Sequence, residues 1–196
     1  VYWCSSCETA LADAEVEYGD HESHSIYVRF LTTGDPPADL PDVVKAEWAQ
    51  TAFVIWTTTP WTIPANLGLC LHADLDYVFV KTAQRGTLVL AQTLLDDFIQ
   101  HTGIEDYSII HTTQGRTLDK LQAKHPLYDR LSLVILGDHV TTEAGTGVVH
   151  TAPGHGHEDY LVGQQYQLDI LSPLNSRGIF TAEAGERFEG LHYSKG

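Results

Sequence analysis

Phe53-Val54-Ile55-Trp56-Thr57-Thr58-Thr59-Pro60-Trp61-Thr62 reads as an apolar strand that delivers hydroxyl side chains to one spot and then stops. Large apolar and β-branched residues favour extended backbone. Pro60 has no N–H to give to a ladder and ends the strand. The hydroxyls of Thr57, Thr58 and Thr59 are therefore left at a rim. A distant stretch, Gly145-Thr146-Gly147-Val148-Val149-His150-Thr151-Ala152-Pro153-Gly154-His155-Gly156-His157-Glu158-Asp159-Tyr160, has the same form. An apolar strand ends in polar residues, a Pro/Gly loop follows, and a helix begins. The two ends are expected to face each other across one pocket.

Working outward from these rims, alternation of apolar and polar residues predicts a strand at 25–31, apolar runs predict strands at 51–57, 131–136 and 148–151, and further strands are expected at 66–72, 77–81, 87–91 and 107–111. Turn residues at 73–76 and 84–86 suggest antiparallel neighbours. Residues 92–101, with Leu94, Leu95 and Phe98 on one face and Gly103 just beyond, read as an amphipathic helix with a glycine stop. Short helices are predicted at 117–122 and 157–166, and a helical turn running into a short strand over 9–17. Residues 32–41 hold three prolines and form a loop. The expected fold is α+β, a β-barrel-like core of short, largely antiparallel strands with peripheral helices.

With 196 residues, 43% of them hydrophobic, the chain can bury one substantial core, and residues 1–196 read as a single domain. Eleven Lys and Arg against 26 Asp and Glu leave a net charge of −15, a field that repels polyanions. Any nucleic acid must then be held mainly by something else. No run resembles a membrane span or signal peptide, and the start on Val1 with no Met in the chain reads as a domain excised from a larger protein. An odd set of three cysteines, Cys4, Cys7 and Cys70, argues for a reducing, cytoplasmic setting rather than a disulfide framework. Cys4-Ser5-Ser6-Cys7 offers half of a tetrahedral zinc site, to be completed outside the chain if zinc binds. The alternative is two plain thiols. Cys70 reads as a small core residue.

The second rim gathers His150, His155, His157, Glu158 and Asp159, but their spacing fits no recognised zinc pattern. No Gly-x-Ser-x-Gly elbow supplies a nucleophile. What remains is binding with a positioned water. Asp159, at a helix start and ionised at neutral pH, can capture an ammonium group, and the threonines can meet hydroxyl and carbonyl oxygens. Taken singly, each has a plain reading: strand propensity for the threonines, a cap for Asp159, a satisfied polar residue for His150. The two rims together favour a site.

The segments Trp56 to Asn66, Gly145 to Gly156 and Asp159-Tyr160 resemble the editing domain of bacterial isoleucyl-tRNA synthetases, and the opening Trp3-Cys4-Ser5-Ser6-Cys7 resembles the point where that insertion leaves the nucleotide-binding core. The related valyl and leucyl enzymes carry an arginine where this chain has Thr59. The resemblance covers nearly the whole chain and implies hydrolysis of valine wrongly attached to isoleucine tRNA, with valyl-tRNA or valyl-adenylate as substrate. It implies that Asp159 holds the α-ammonium, and that Thr57, Thr58 and Thr59 position the attacking water against the ester and ribose. It further implies that His150 bounds the side-chain pocket and Trp61 walls it, with no cofactor in the reaction. The acceptor end of the tRNA would be held mainly by the parent enzyme, away from any membrane. The competing readings are an aminoacyl-adenosine-binding module without turnover and a structural insertion that has lost editing.

Overall fold

The strand that carries the threonines is buried on both faces, and the molecule is built around it. A computed structural model describes residues 2–20 and 22–194. In chain order the strands are β1 (Tyr2–Cys4), β2 (Thr9–Leu11), β3 (Ile26–Thr33), β4 (Thr51–Thr57), β5 (Gly68–Leu71), β6 (Asp76–Thr82), β7 (Gly86–Ala91), β8 (Tyr107–Gln114), β9 (Gln122–Lys124), β10 (Leu131–Leu136) and β11 (Val149–Thr151). The helices are α1 (Asp42–Glu47), α2 (Leu95–Thr102) and α3 (His157–Gln165).

Nine strands form one sheet in the order β11-β5-β10-β9-β3-β4-β7-β6-β8, and β1 and β2 form a separate hairpin. Among the described residues, only β5 with β10 and β4 with β7 pair in parallel; the other pairings are antiparallel. The period-2 alternation of side chains divides β4, β6 and β7 between two cores. Phe53, Ile55, Tyr77, Phe79 and Val89 fill the inside of the curled sheet. Ala52, Val54, Val78, Val80, Leu88 and Leu90 face outward and are covered by Leu95 and Phe98 of α2. That helix closes at Gly103, whose left-handed φ of +63° lets its N–H reach the Ile99 carbonyl at 3.0 Å. α3 packs Val162 against Cys70 and Ile135 on the other half of the sheet.

Curling brings β11 close to β4, although the two do not pair. The sheet nevertheless does not close. β11 bonds only to β5 and β8 only to β6 among the described residues, so the barrel-like expectation is corrected to an open, strongly curled sheet.

Other departures have local causes. The turn at 73–76 does not make a hairpin, because its Ala73 and Leu75 carbonyls accept the Arg116 and Gly115 N–H groups and the two flanking strands diverge. The helix expected at 117–122 is a 3-10 turn, Gly115–Leu118, followed by β9. Over 9–17 the order is reversed, with β2 first and a 3-10 turn, Asp13–Glu15, after it. α1 follows Pro41 and buries Val44, where the sequence suggested no element. Among the described residues no helix is long and apolar enough to cross a membrane.

Candidate functional site

At the end of β4 the chain turns on its own hydroxyl. Thr57 Oγ1 accepts the Thr59 N–H at 3.0 Å and lies 3.2 Å from Thr59 Oγ1, the local side-chain turn that threonine favours once a strand stops. Pro60 then opens a 3-10 turn, Pro60–Ala65, at the position where its missing N–H costs nothing. Thr62 closes the first turn by giving both its N–H, at 3.0 Å, and its hydroxyl, at 2.9 Å, to the Thr59 carbonyl.

The second rim arrives on β11, whose His150 stands opposite Leu69 of β5. Both ring nitrogens of His150 are occupied. Asn66 Nδ2 lies 2.7 Å from Nδ1, and Thr62 Oγ1 lies 2.9 Å from Nε2. The proton positions follow from the surrounding bonds. Asn66 Nδ2 also donates to the Gly68 carbonyl at 2.8 Å and its Oδ1 accepts from Ser132 at 2.6 Å, so the amide cannot be turned round. Nδ1 is therefore an acceptor and the ring proton is on Nε2. That proton goes to Thr62, whose own hydroxyl proton is committed to Thr59. Burial, then the neighbouring His155 and His125, push the His150 pKa down to about 3, so the ring is neutral at physiological pH.

Asp159, in the first turn of α3, does not cap its own helix. Its Oδ2 accepts the Ala152 N–H at 2.9 Å and pins the loop between β11 and α3. Burial raises its pKa above the usual carboxylate value, an effect partly offset by that hydrogen bond. The loop is tight: a Cβ on Gly154 would lie 2.2 Å from the Leu171 carbonyl oxygen.

Four of the residues expected from the sequence, Thr57, Thr59, His150 and Asp159, line one cavity of about 230 Å3, together with Trp56, Thr62, Val149, Ala152 and His155. Sites for drug-sized ligands run from roughly 300 to 1,000 Å3, so this one suits a group of amino-acid size rather than a whole nucleotide. Thr58 is exposed outside that lining, its carbonyl accepting the Ser23 hydroxyl at 3.3 Å. Trp61 also lies outside it and packs on Tyr193, ring centres 5.7 Å apart. Thr62, Asn66 and His155 are the contributors the sequence reading gave no role. Thr62 is three residues from Thr59, the spacing at which a helical turn brings side chains together, and Asn66 is a polar residue in an apolar run. Either could have been a signal. No three His, Cys, Asp or Glu side chains gather to hold a metal ion among the described residues.

Cys4 and Cys7 flank the turn of the β1–β2 hairpin, and the Cys7 N–H lies 3.4 Å from Cys4 Sγ. Backbone and side-chain hydrogen bonding from Cys7 lowers the Cys4 pKa, while the hydrogen bond to Cys4 and its charge raise that of Cys7, so within this chain one thiolate of the pair is favoured and the other opposed.

The fold is shared with two editing domains of known structure. The GlLeuRS CP1 structure superposes with a TM-score of 0.59 at 15% identity, over 80% of this chain and 71% of that one. The editing domain of the P. knowlesi cytosolic leucyl-tRNA synthetase gives 0.55 at 12% identity, over 64% and 55%. No family model matches the chain. Its sequence relatives are closer: it is 52% identical over 198 residues to isoleucine-tRNA ligase of Natranaerobius thermophilus and 50% identical over 191 residues to that of Syntrophotalea carbinolica, covering 100% and 97% of this chain. The chain belongs to the isoleucine-tRNA ligase family. It spans 20% of the length of these two relatives.

Proposed function

We propose that this cavity hydrolyses an amino acid wrongly esterified to isoleucine tRNA, valine being the one it corrects. The observation that carries the reading is the meeting, in one amino-acid-sized cavity, of a carboxylate and two hydroxyls opposite a neutral histidine. Asp159 spends Oδ2 on Ala152, which leaves Oδ1 for the substrate ammonium. The Thr57 and Thr59 hydroxyls hold the water that attacks the ester carbon. The bond to the ribose oxygen then breaks, and that oxygen takes up the proton the water releases. His150 cannot be the base, because Nδ1 and Nε2 are both engaged. It acts as a wall against the longer side chain.

The need is physical. One methylene in a hydrophobic pocket is worth only about 1–3 kcal/mol, or roughly 10–200-fold, so a second, smaller sieve must correct the remainder. With a net charge of −15 the tRNA body is held elsewhere in the larger protein, in the cytoplasm. The test is the rate of hydrolysis of valyl- and isoleucyl-tRNA by the full-length protein. Valine should be released and isoleucine spared, and His150→Ala should release both. A wild-type protein that releases neither, yet binds both aminoacyl-adenosine analogues, would favour the module without turnover.

We also propose that Cys4 and Cys7 supply two thiolates to a zinc ion completed by residues outside this chain. The hairpin geometry and the favoured Cys4 thiolate fit such a half site. Elemental analysis of the full-length protein should find zinc that Cys4→Ser removes; equal zinc in both proteins would dismiss the idea.

A further inference from the structure

Two side chains grip the turn that carries Thr62 and Asn66 without lining the cavity themselves. The 3-10 turn Pro60–Ala65 contains two prolines, so it has few N–H groups with which to anchor itself. Its carbonyls are held instead by the β9–β10 hairpin. His125, 4% exposed, is hemmed in by the rings of Phe30 and Tyr128 at 5.9 and 4.9 Å. Its Nδ1 accepts the Leu127 N–H at 3.1 Å, which places the ring proton on Nε2, and Nε2–H donates to the Ile63 carbonyl at 2.9 Å. Arg130, its guanidinium 4.8 Å from the Tyr128 ring centre, donates to the Pro64 carbonyl. Tyr128 is itself fixed by a 2.6 Å bond to the Ala184 carbonyl.

Any shift of this turn carries Thr62 and Asn66 with it, and these are the two partners that fix the His150 ring. We propose that His125 and Arg130 are positioning residues that set the side-chain selectivity of the cavity, acting through the turn and His150; this rests on the hydrolytic reading above. Burial drives the His125 pKa down to about 4, so at neutral pH its single ring proton stays on the nitrogen that faces Ile63.

The experiment uses the full-length protein with four variants. His125→Phe keeps a ring but removes the donor, and His125→Gln restores an amide donor. Arg130→Met keeps the stem and Arg130→Lys restores the charge. The first readout is the ratio of kcat/KM for valyl-tRNA to that for isoleucyl-tRNA. It should fall by about tenfold or more in His125→Phe and Arg130→Met, since the roughly 10–200-fold discrimination that a pocket wall obtains from one methylene is lost when the wall shifts, and recover in His125→Gln and Arg130→Lys. The second is the imidazole 15N spectrum of His150, which should lose its distinct acceptor and N–H signals in the two donor-deleted variants. Arg130 is only half-buried, so Arg130→Met carries the test if His125→Phe does not fold. Folded donor-deleted variants that keep both the ratio and the 15N pattern overturn the proposal. If the wild-type protein hydrolyses neither ester, the function reading fails and the 15N pattern alone decides this one.

Discussion

Asp159 is where the proposed ligand capture and stability oppose each other. Its carboxylate is drawn into a half-buried loop at a cost that shows as a raised pKa, and one oxygen is used to hold Ala152. Asp159→Asn keeps an oxygen for that N–H and removes the buried charge. It should therefore melt at or above the wild-type temperature at pH 7 while deacylation is lost. Calorimetry and a hydrolysis assay on one preparation check both halves, and an active Asn variant would remove the ammonium-binding role. Thr57, Thr59, His150 and Asp159 were legible because each is a polar residue at the end of an apolar strand or the start of a helix. Thr62 and Asn66 were not, because their importance lies in hydrogen bonds to a residue 84 to 88 positions away. Thr58 and Trp61 show the converse. A run of like residues gives no indication of which members face inward once a proline twists the backbone.

At the scale of elements, the loop that feeds β11 is the sensitive joint. Gly147 has a φ of +70°, its carbonyl accepts the Tyr77 hydroxyl at 2.6 Å, and a Cβ there would lie 2.4 Å from Ala91 Cβ. Left-handed backbone costs a residue with a side chain about 1–2 kcal/mol, and overpacking typically adds about 1–3 kcal/mol. Gly147→Ala should lower stability by about 2–5 kcal/mol in urea titrations; a change below about 1 kcal/mol would mean the loop can move away freely. Strands such as β4 and β10 were readable to the residue, because a continuous apolar run bounded by turn residues admits little else. α1 was not, since Val43 and Val44 after a proline-rich loop carry strand propensity that packing on the core overrides.

For the whole molecule, the absence of barrel closure was beyond local pattern, because closure depends on whether the first and last strands of the sheet meet. The ionisation of the interior leaves a clearer global signature. His125 and His150 are neutral when folded, with pKa values pushed to about 4 and about 3 from an ordinary 6.5. Below pH 6.5 the unfolded chain binds protons that the folded one refuses, so stability falls as pH falls, through the window down to about pH 4 for His125 and about pH 3 for His150. Each histidine contributes up to about 1.4 kcal/mol per pH unit there. His155, also lowered, acts in the same direction, and Asp159, raised, opposes them. The urea midpoint should drop steadily from pH 7 to pH 5. A flat profile would show that water reaches both rings.

The meeting of β4 and β11 also has a kinetic side. Thr62 and His150 are 88 residues apart, and β4, which leads into the turn that holds Thr62, shares no ladder hydrogen bonds with β11, which carries His150. β6, with β7 on one side and β8 on the other, can form from contacts close in sequence, but the cavity must wait until the distant rim has emerged and the sheet has curled, since closing so long a loop comes late in folding. On a ribosome, the proposed proofreading cavity would therefore appear all at once near the end of this stretch of synthesis. A partly folded copy would have no half-built pocket able to cleave a correct ester.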